Sequence, residues 1–394
     1  MPPLRILHVT PYFAEAWAYG GIPRVVASLA RGLARRGHTV TVCTTDARDE
    51  TARLPRGSTR TAEGVDVHVF PNFSNRLAYR LQLFLPLGFH EFMARHAAAF
   101  DVAHVHACRN MPGVIAAHHL RRARVPYVLA PNGTAPIIER RRLAKRAFDI
   151  IFGHRTLAGA AAVLAVSQAE RRQLDAIGVD AAAIRIIPNP IDLDEFRQPI
   201  ARGAFRRRHA LESNRVVLFL GKLTPRKRVD VLMKAFASMG RDDARLVIAG
   251  NDMGAGAGLR SLARRLGIEN RARFTGLLRG RERLEALADA DVVVYPSQDE
   301  VFGLVAVEAL LAGTPVIVAD DSGCGEVVRA TGGGRVVPVG DASALRDAIQ
   351  QTLETRAHLT SDVAEAAARA RALYGEDAVC ADMERLYDRL TERA

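Results

Sequence analysis

Apolar residues follow two rhythms along this chain. Short, nearly continuous runs rich in Val, Ile and Leu alternate with longer stretches in which apolar residues recur every three or four positions. The short runs predict strands at 5–10, 39–43, 65–70, 102–106, 127–130 and 162–166. Helical spacing at 22–36 and 77–99 falls between them. The turn-forming stretch Pro-Asn-Pro-Ile-Asp-Leu-Asp-Glu-Phe at 188–196 then interrupts the pattern. A second series follows, with strands at 216–220, 245–249, 273–275, 291–295, 316–319 and 335–337. Its helices are expected at 228–239, 259–266, 281–288, 342–355, 361–373 and 376–393.

Strands that alternate with helices and are apolar throughout indicate parallel sheets covered on both faces. The fold class is therefore α/β. We place one domain over 1–195, a second over 196–373 and a terminal helical segment over 374–394. Parallel sheets bind ligands beyond the carboxyl ends of their strands. His106, Gly221-Lys222, Gly250 and Pro296-Ser297 occupy such ends.

A chain of 394 residues with 48% hydrophobic and 25% charged positions suits two soluble globular domains. No run approaches the roughly 18 apolar residues that a membrane span needs. The first residues enter a strand without a charged leader or cleavage site, which implies a cytoplasmic protein. Cys43, Cys108, Cys324 and Cys380 lie far apart, so zinc or redox spacing is absent.

The net charge of +12 is unevenly placed. Residues 1–195 hold 25 Lys and Arg against 16 Asp and Glu, a surplus of 9, and the remainder has a surplus of only 3. The densest cluster is Arg140, Arg141, Arg142, Lys145, Arg146 and Arg155. Ile138, Leu143, Phe148, Ile151 and Phe152 interleave with it, predicting a basic amphipathic helix over 137–152. Two readings stand open: attachment to an anionic membrane surface, or a surface helix packed on the core with its arginines in water. No recognition motif for nucleic acid accompanies the charge.

The sharpest motif is Glu300-Val-Phe-Gly-Leu-Val-Ala-Val-Glu308, between Tyr295-Pro296-Ser297 and Gly313-Thr314-Pro315. Its frame reads strand, loop, helix, strand. Glu300 falls on the loop and Glu308 in the helix. Gly303 allows close backbone approach, and the first free N–H groups, from Gly303 through Leu304 to Val305, suit a phosphate. A carboxylate on either side can accept from sugar hydroxyls.

This element resembles the E-x7-E segment of the retaining family-4 glycosyltransferases, whose GT-B fold has two facing Rossmann-like domains and an interdomain cleft. The resemblance covers nearly the whole chain and is densest from Ser167 onward. Asn189-Pro-Ile-Asp192 looks like the family's linker, with Pro190 where Gly is usual. Gly221-Lys-Leu-Thr-Pro-Arg-Lys-Arg228 looks like its phosphate-binding segment, with Lys222 for the usual Arg and Arg228 for the usual Gly.

The resemblance implies transfer of a sugar from a nucleoside diphosphate donor to an acceptor hydroxyl, with retention of anomeric configuration. It implies that Lys222 and Lys227 hold the diphosphate, that Glu300 faces the sugar and that Glu308 faces the ribose. Gly221, Phe302, Gly303, Leu304 and Val305 would line the donor. Leu277, in Phe274-Thr-Gly-Leu277, would sit at the nucleobase, and Gly20-Gly21 would form a glycine loop under the phosphates.

The family's Pro-His-Gly segment reads Pro131-Asn132-Gly133 here, and an amide cannot act as a general base. Asn132 and His106 remain candidates for acceptor or sugar contacts. With no evident carboxylate nucleophile in the first domain's loops, we favour a front-face route in which the leaving phosphate takes the acceptor's proton. Asp192-Leu-Asp194 and Asp289-Ala-Asp291 match a metal-binding pair, but the lysines and helix end replace it, so no metal or other cofactor is expected. The expected acceptor is a glycan or a lipid-linked molecule, with the enzyme at the inner membrane face if the basic helix binds there. Two alternatives compete: a sugar-nucleotide epimerase or synthase on the same architecture, and a silent nucleotide-binding homologue.

Overall fold

A computed structural model describes residues 2–137, 142–356 and 358–392. It divides into two compact units, Met1–Pro190 with Glu376–Ala394, and Ile191–Gly375.

The first unit is built on β1 (Arg5–Val9), β2 (Thr39–Thr45), β3 (Gly57–Arg60), β4 (Asp66–Phe70), β5 (Val102–His106), β6 (Tyr127–Ala130), β7 (Ala162–Ala165) and β8 (Ile184–Ile186). They form one sheet in the order β3-β4-β2-β1-β5-β6-β7-β8. Every pairing is parallel except β3 with β4.

Alternation along the strands sends side chains to two separate cores. Ile6, Val40 and Val102 meet Val26, Leu29 and Leu33 of the helix Ile22–Arg35. On the same face lie Val379, Met383, Leu386 and Tyr387 of the helix Glu376–Thr391. Leu7, Val9 and Val105 meet Phe89, Met93, Ala116 and Leu120 on the opposite face. The terminal helix is pinned by charge as well: Arg31 donates to Glu376 at 2.7 Å, and Arg36 and His38 reach Glu384. Gly32 makes this approach possible, since a Cβ there would lie 2.5 Å from Cys380 Sγ.

The second unit carries β9 (Arg215–Leu220), β10 (Ala244–Ala249), β11 (Ala272–Gly276), β12 (Val292–Tyr295), β13 (Val316–Ala319) and β14 (Gly334–Val337). Their order is β11-β10-β9-β12-β13-β14, all parallel. The order reverses between β9 and β12, and at such a switch point the two loops diverge and leave a crevice.

Two expectations need correction. The single helix over 77–99 is two, Asn75–Leu81 and Phe89–His96. Gln82 closes the first in the left-handed region and Gly88 opens the second, with Pro86 between. The basic helix over 137–152 is also not uniform. Ile138, Arg140 and Arg141 lie outside the described residues. From Arg142 the chain runs as α-helix to Phe148, as π-helix over Asp149–Gly153, and as α-helix over His154–Ala158.

Candidate active site

The switch point of the second sheet brings two loops together. After β9 comes Gly221-Lys222-Leu223-Thr224, then a single 3-10 turn over Pro225–Lys227 and the helix Val229–Ser238. After β12 comes the loop 296–303, then the helix Leu304–Leu311. Lys227 and Glu300, one from each loop, form a direct ion pair.

That pair is enclosed by polar partners. Lys227, 8% exposed, also donates to the Tyr295 hydroxyl and lies 4.6 Å from the centre of its ring. The hydroxyls of Tyr295 and Ser297 donate to Glu300 Oε2 at 3.1 and 3.2 Å. Burial by itself raises the Glu300 pKa, but the charges of Lys227 and Arg226, with hydrogen bonds from Lys227 and Tyr295, bring it down to about 2. Burial, then the adjacent Glu300, push the Tyr295 phenol well above its ordinary value. Glu300 is therefore an anion and Tyr295 a neutral donor at neutral pH.

The backbone fixes this arrangement. Gly323 N–H donates to the Glu300 carbonyl at 2.7 Å, and Gln298 N–H to the Arg226 carbonyl at 2.9 Å. Gly303 caps the helix Leu304–Leu311 at φ 77°, and a Cβ there would lie 1.8 Å from Cys324 Sγ. No side chain caps this helix, whereas Ser322 caps the next one. The first-turn amides of Leu304 and Val305, both half-buried, lie at the positive end of this helix, an arrangement that can receive an anion.

Arg228 stands where glycine was expected and adopts φ 50°, the left-handed conformation that glycine takes without cost. Its guanidinium donates to Gln298 Oε1 at 3.1 Å, which ties the two loops together.

The remaining expected residues spread more widely. Lys222 is half-buried on the β9 loop, beside Gly221. Phe302, buried, meets the Tyr374 ring edge-on at 5.3 Å. Leu277 follows the edge strand β11 and is half-buried. Glu308 is 1% exposed and pairs with Arg283 Nη1 at 2.6 Å, while Arg283 also reaches Glu195. This Glu195–Arg283–Glu308 chain was invisible to sequence reading, because its members are far apart and share no motif.

In the first unit, Gly20 has φ 97° and Gly21 caps the helix Ile22–Arg35 without a side-chain bond. Asn132 takes φ 51° and folds its amide back on the Ala130 carbonyl at 3.2 Å. Buried Glu170 holds this turn by accepting from Gly133 N–H at 2.6 Å and Val166 N–H at 2.9 Å.

His106, a candidate for a sugar or acceptor contact, ends β5 inside the first unit. Its ring is buried, stacked on His104 and 3.0 Å from His8 Nδ1. Residues 8, 104 and 106 share the sheet face covered by Tyr387, whose hydroxyl lies 2.7 Å from His104 Nδ1. Nitrogens of the three histidines lie within 4.8 Å of one another. Their ring planes, however, differ by only 11–26°, so their in-plane lone pairs do not converge on one ion. Of the two Asp-x-Asp pairs, Asp289 accepts from the amides of Gly203, Phe205 and Arg206, and Asp291 pairs with Arg206 and Arg215.

Comparison with known proteins places these features in context. The model of "Glycosyltransferase Family 4" matches residues 19–195, and that of "Glycosyl transferases group 1" matches 202–370. A D-inositol 3-phosphate glycosyltransferase of Kineococcus radiotolerans is 31% identical over 391 residues, covering 89% of this chain and 86% of that protein. The protein of the same name from Geodermatophilus obscurus is 30% identical, covering 87% of this chain and 79% of its own length. Among solved structures, sucrose-phosphate synthase from Thermosynechococcus elongatus superposes with a TM-score of 0.76 at 22% identity, covering 99% of this chain and 100% of that one. Anabaena HepE in complex with UDP-glucose gives 0.76 at 21% identity, covering 98% and 100%.

Proposed function

Because the chain belongs to the family-4 glycosyltransferases, enzymes that transfer sugar from nucleotide sugars, we propose that its donor binds at the Lys227–Glu300 pair. The observation that carries this reading is the placement of that pair at the sheet's switch point, beside the helix Leu304–Leu311, whose first turn no side chain caps.

The chemistry follows from charge. As the bond between the anomeric carbon and the diphosphate breaks, negative charge grows on the departing phosphate. Lys227, Lys222 and the first-turn amides of Leu304 and Val305 stabilise it from fixed positions. Lys222 in place of arginine keeps the charge and gives up the bidentate fork. The Tyr295, Ser297 and Lys227 contacts all converge on Glu300 Oε2, so Oε1 is the oxygen offered to a sugar hydroxyl. Glu308, oriented by Arg283, is assigned to the ribose, and Leu277 to the nucleobase. In the front-face route the acceptor oxygen bonds the anomeric carbon while its proton passes to the leaving phosphate oxygen.

The first unit, through Gly20-Gly21 and Asn132, is assigned to the phosphates and the acceptor. Its positive surplus of 9 over residues 1–195 favours an anionic acceptor. The D-inositol 3-phosphate in the relatives' name carries phosphate, which supports the same choice. Glu300→Gln tests the reading: turnover should fall by about three orders of magnitude, the scale of losing a transition-state contact, with the melting temperature near wild type. Wild-type turnover in that variant would remove Glu300 from the mechanism.

A further inference from the structure

The first unit contains a cavity of about 300 Å³ that the donor chemistry does not use. It lies beyond the carboxyl ends of β5 and β6, on the sheet face opposite the histidines. Val105, Leu129, Val114 and Leu157 give it an apolar interior, and Phe148 and Ile150 form its outer wall.

Its polar groups are turned on one another. Arg109, at φ 55°, gives its guanidinium to both oxygens of Asp149 and to the carbonyls of Thr134 and Ala135. The Asp149 carboxylate lies where a side chain at Gly153 would project, 2.6 Å from an added Cβ. The π-helical turn Asp149–Gly153 is thus clamped over the cavity, and such turns are frequent at binding sites.

The rim has a different character. Arg146 lines the cavity, and Arg142 and Arg155 are exposed on the same helical segment. Leu143 is 80% and Ile150 74% exposed, so the apolar stripe of this segment is not spent on the core. An apolar interior of ligand size with a cationic rim is complementary to a hydrocarbon chain ending in an anionic group.

We propose that this cavity binds the hydrocarbon part of the acceptor, whose phosphate end rests among Arg142, Arg146 and Arg155. The inference rests on the anionic acceptor assigned above and specifies its class as a lipid phosphate, a hydrocarbon chain with a phosphate head group that also carries the accepting hydroxyl.

The test uses a diazirine-bearing dodecyl phosphate, photolysed with the full-length protein in the absence of donor, with the crosslinks mapped by mass spectrometry. Labelling should saturate, fall on residues 105–114 and 148–157, and be displaced by dodecyl phosphate but not by dodecyltrimethylammonium. Val114→Trp, which fills the cavity from a half-buried helix position, should lower labelling at least tenfold while the melting temperature holds. Non-saturable labelling, or labelling confined to the exposed face around Leu143 and Ile151, would overturn the proposal, since both indicate surface adhesion. Equal displacement by the cationic amphiphile would do the same. The wild-type map decides the matter even if Val114→Trp does not fold. A nucleotide-induced thermal shift on the same sample reports separately on the second unit. Its absence would sink the donor assignment and leave the labelling result intact.

Discussion

Gly303 shows how one residue fixes the geometry of the proposed donor site. Its φ of 77° and the 1.8 Å from an added Cβ to Cys324 Sγ forbid a side chain twice over. Gly303→Ala should therefore lower stability and remove the nucleotide-induced thermal shift. Adding Cys324→Ala removes the sulfur and should restore part of the stability. The backbone term, roughly 1–2 kcal/mol for a left-handed alanine, should remain. Equal melting temperatures for the single and double variants would show that the sulfur contact is not the cause. Glu300 is equally local. Its pKa, lowered from 4.5 to about 2, contributes stability that is complete above about pH 4.5 and lost as pH falls through about 2. It stays ionised across the neutral range.

At the scale of elements, the loops that carry the candidate residues were legible in position because strand, loop and helix each carry their own signal. Glu300, Gly303 and Lys227 stand at strand-to-helix junctions that periodicity alone locates. What it left out are partnerships across long separations. Glu308 with Arg283, and Arg109 with Asp149, join positions that no local pattern links. The burial of His106 was not legible because alternation gives the face of a strand but not what covers it, and the cover is the helix Glu376–Thr391. The break at 82–88 depends on Gln82 entering the left-handed region, which its residue type does not announce. The helix Glu376–Thr391 supplies Val379, Met383, Leu386 and Tyr387 to the core of the first unit. Truncation after Gly375 should therefore unfold that unit, read as a loss of slow-exchanging amides in β1 and β5. Retention of their protection would show that the helix is dispensable.

At the scale of the whole molecule, the units should differ in acid sensitivity. Burial drives the pKa of His8 down to about 3. Burial, with the neighbouring histidines, holds His104 and His106 well below their ordinary 6.5. The folded state thus binds fewer protons than the unfolded chain, so stability is complete above about pH 6.5 and falls as pH drops toward 3. Each histidine contributes up to about 1.4 kcal/mol per pH unit in that window. Denaturant unfolding at pH 7 and pH 5 should show the first unit losing stability more steeply than the second, and equal losses would refute this. Among the described residues no helix is long and apolar enough to cross a membrane.

On the proposed function, a nucleoside diphosphate is held by protein cations and backbone amides in the second unit. Amide hydrogen exchange, measured with a panel of nucleoside diphosphates, tests it most directly. Exchange should slow at residues 222–228 and 300–306 for the ligand that raises the melting temperature. Protection by that ligand elsewhere, with both segments unchanged, would contradict it.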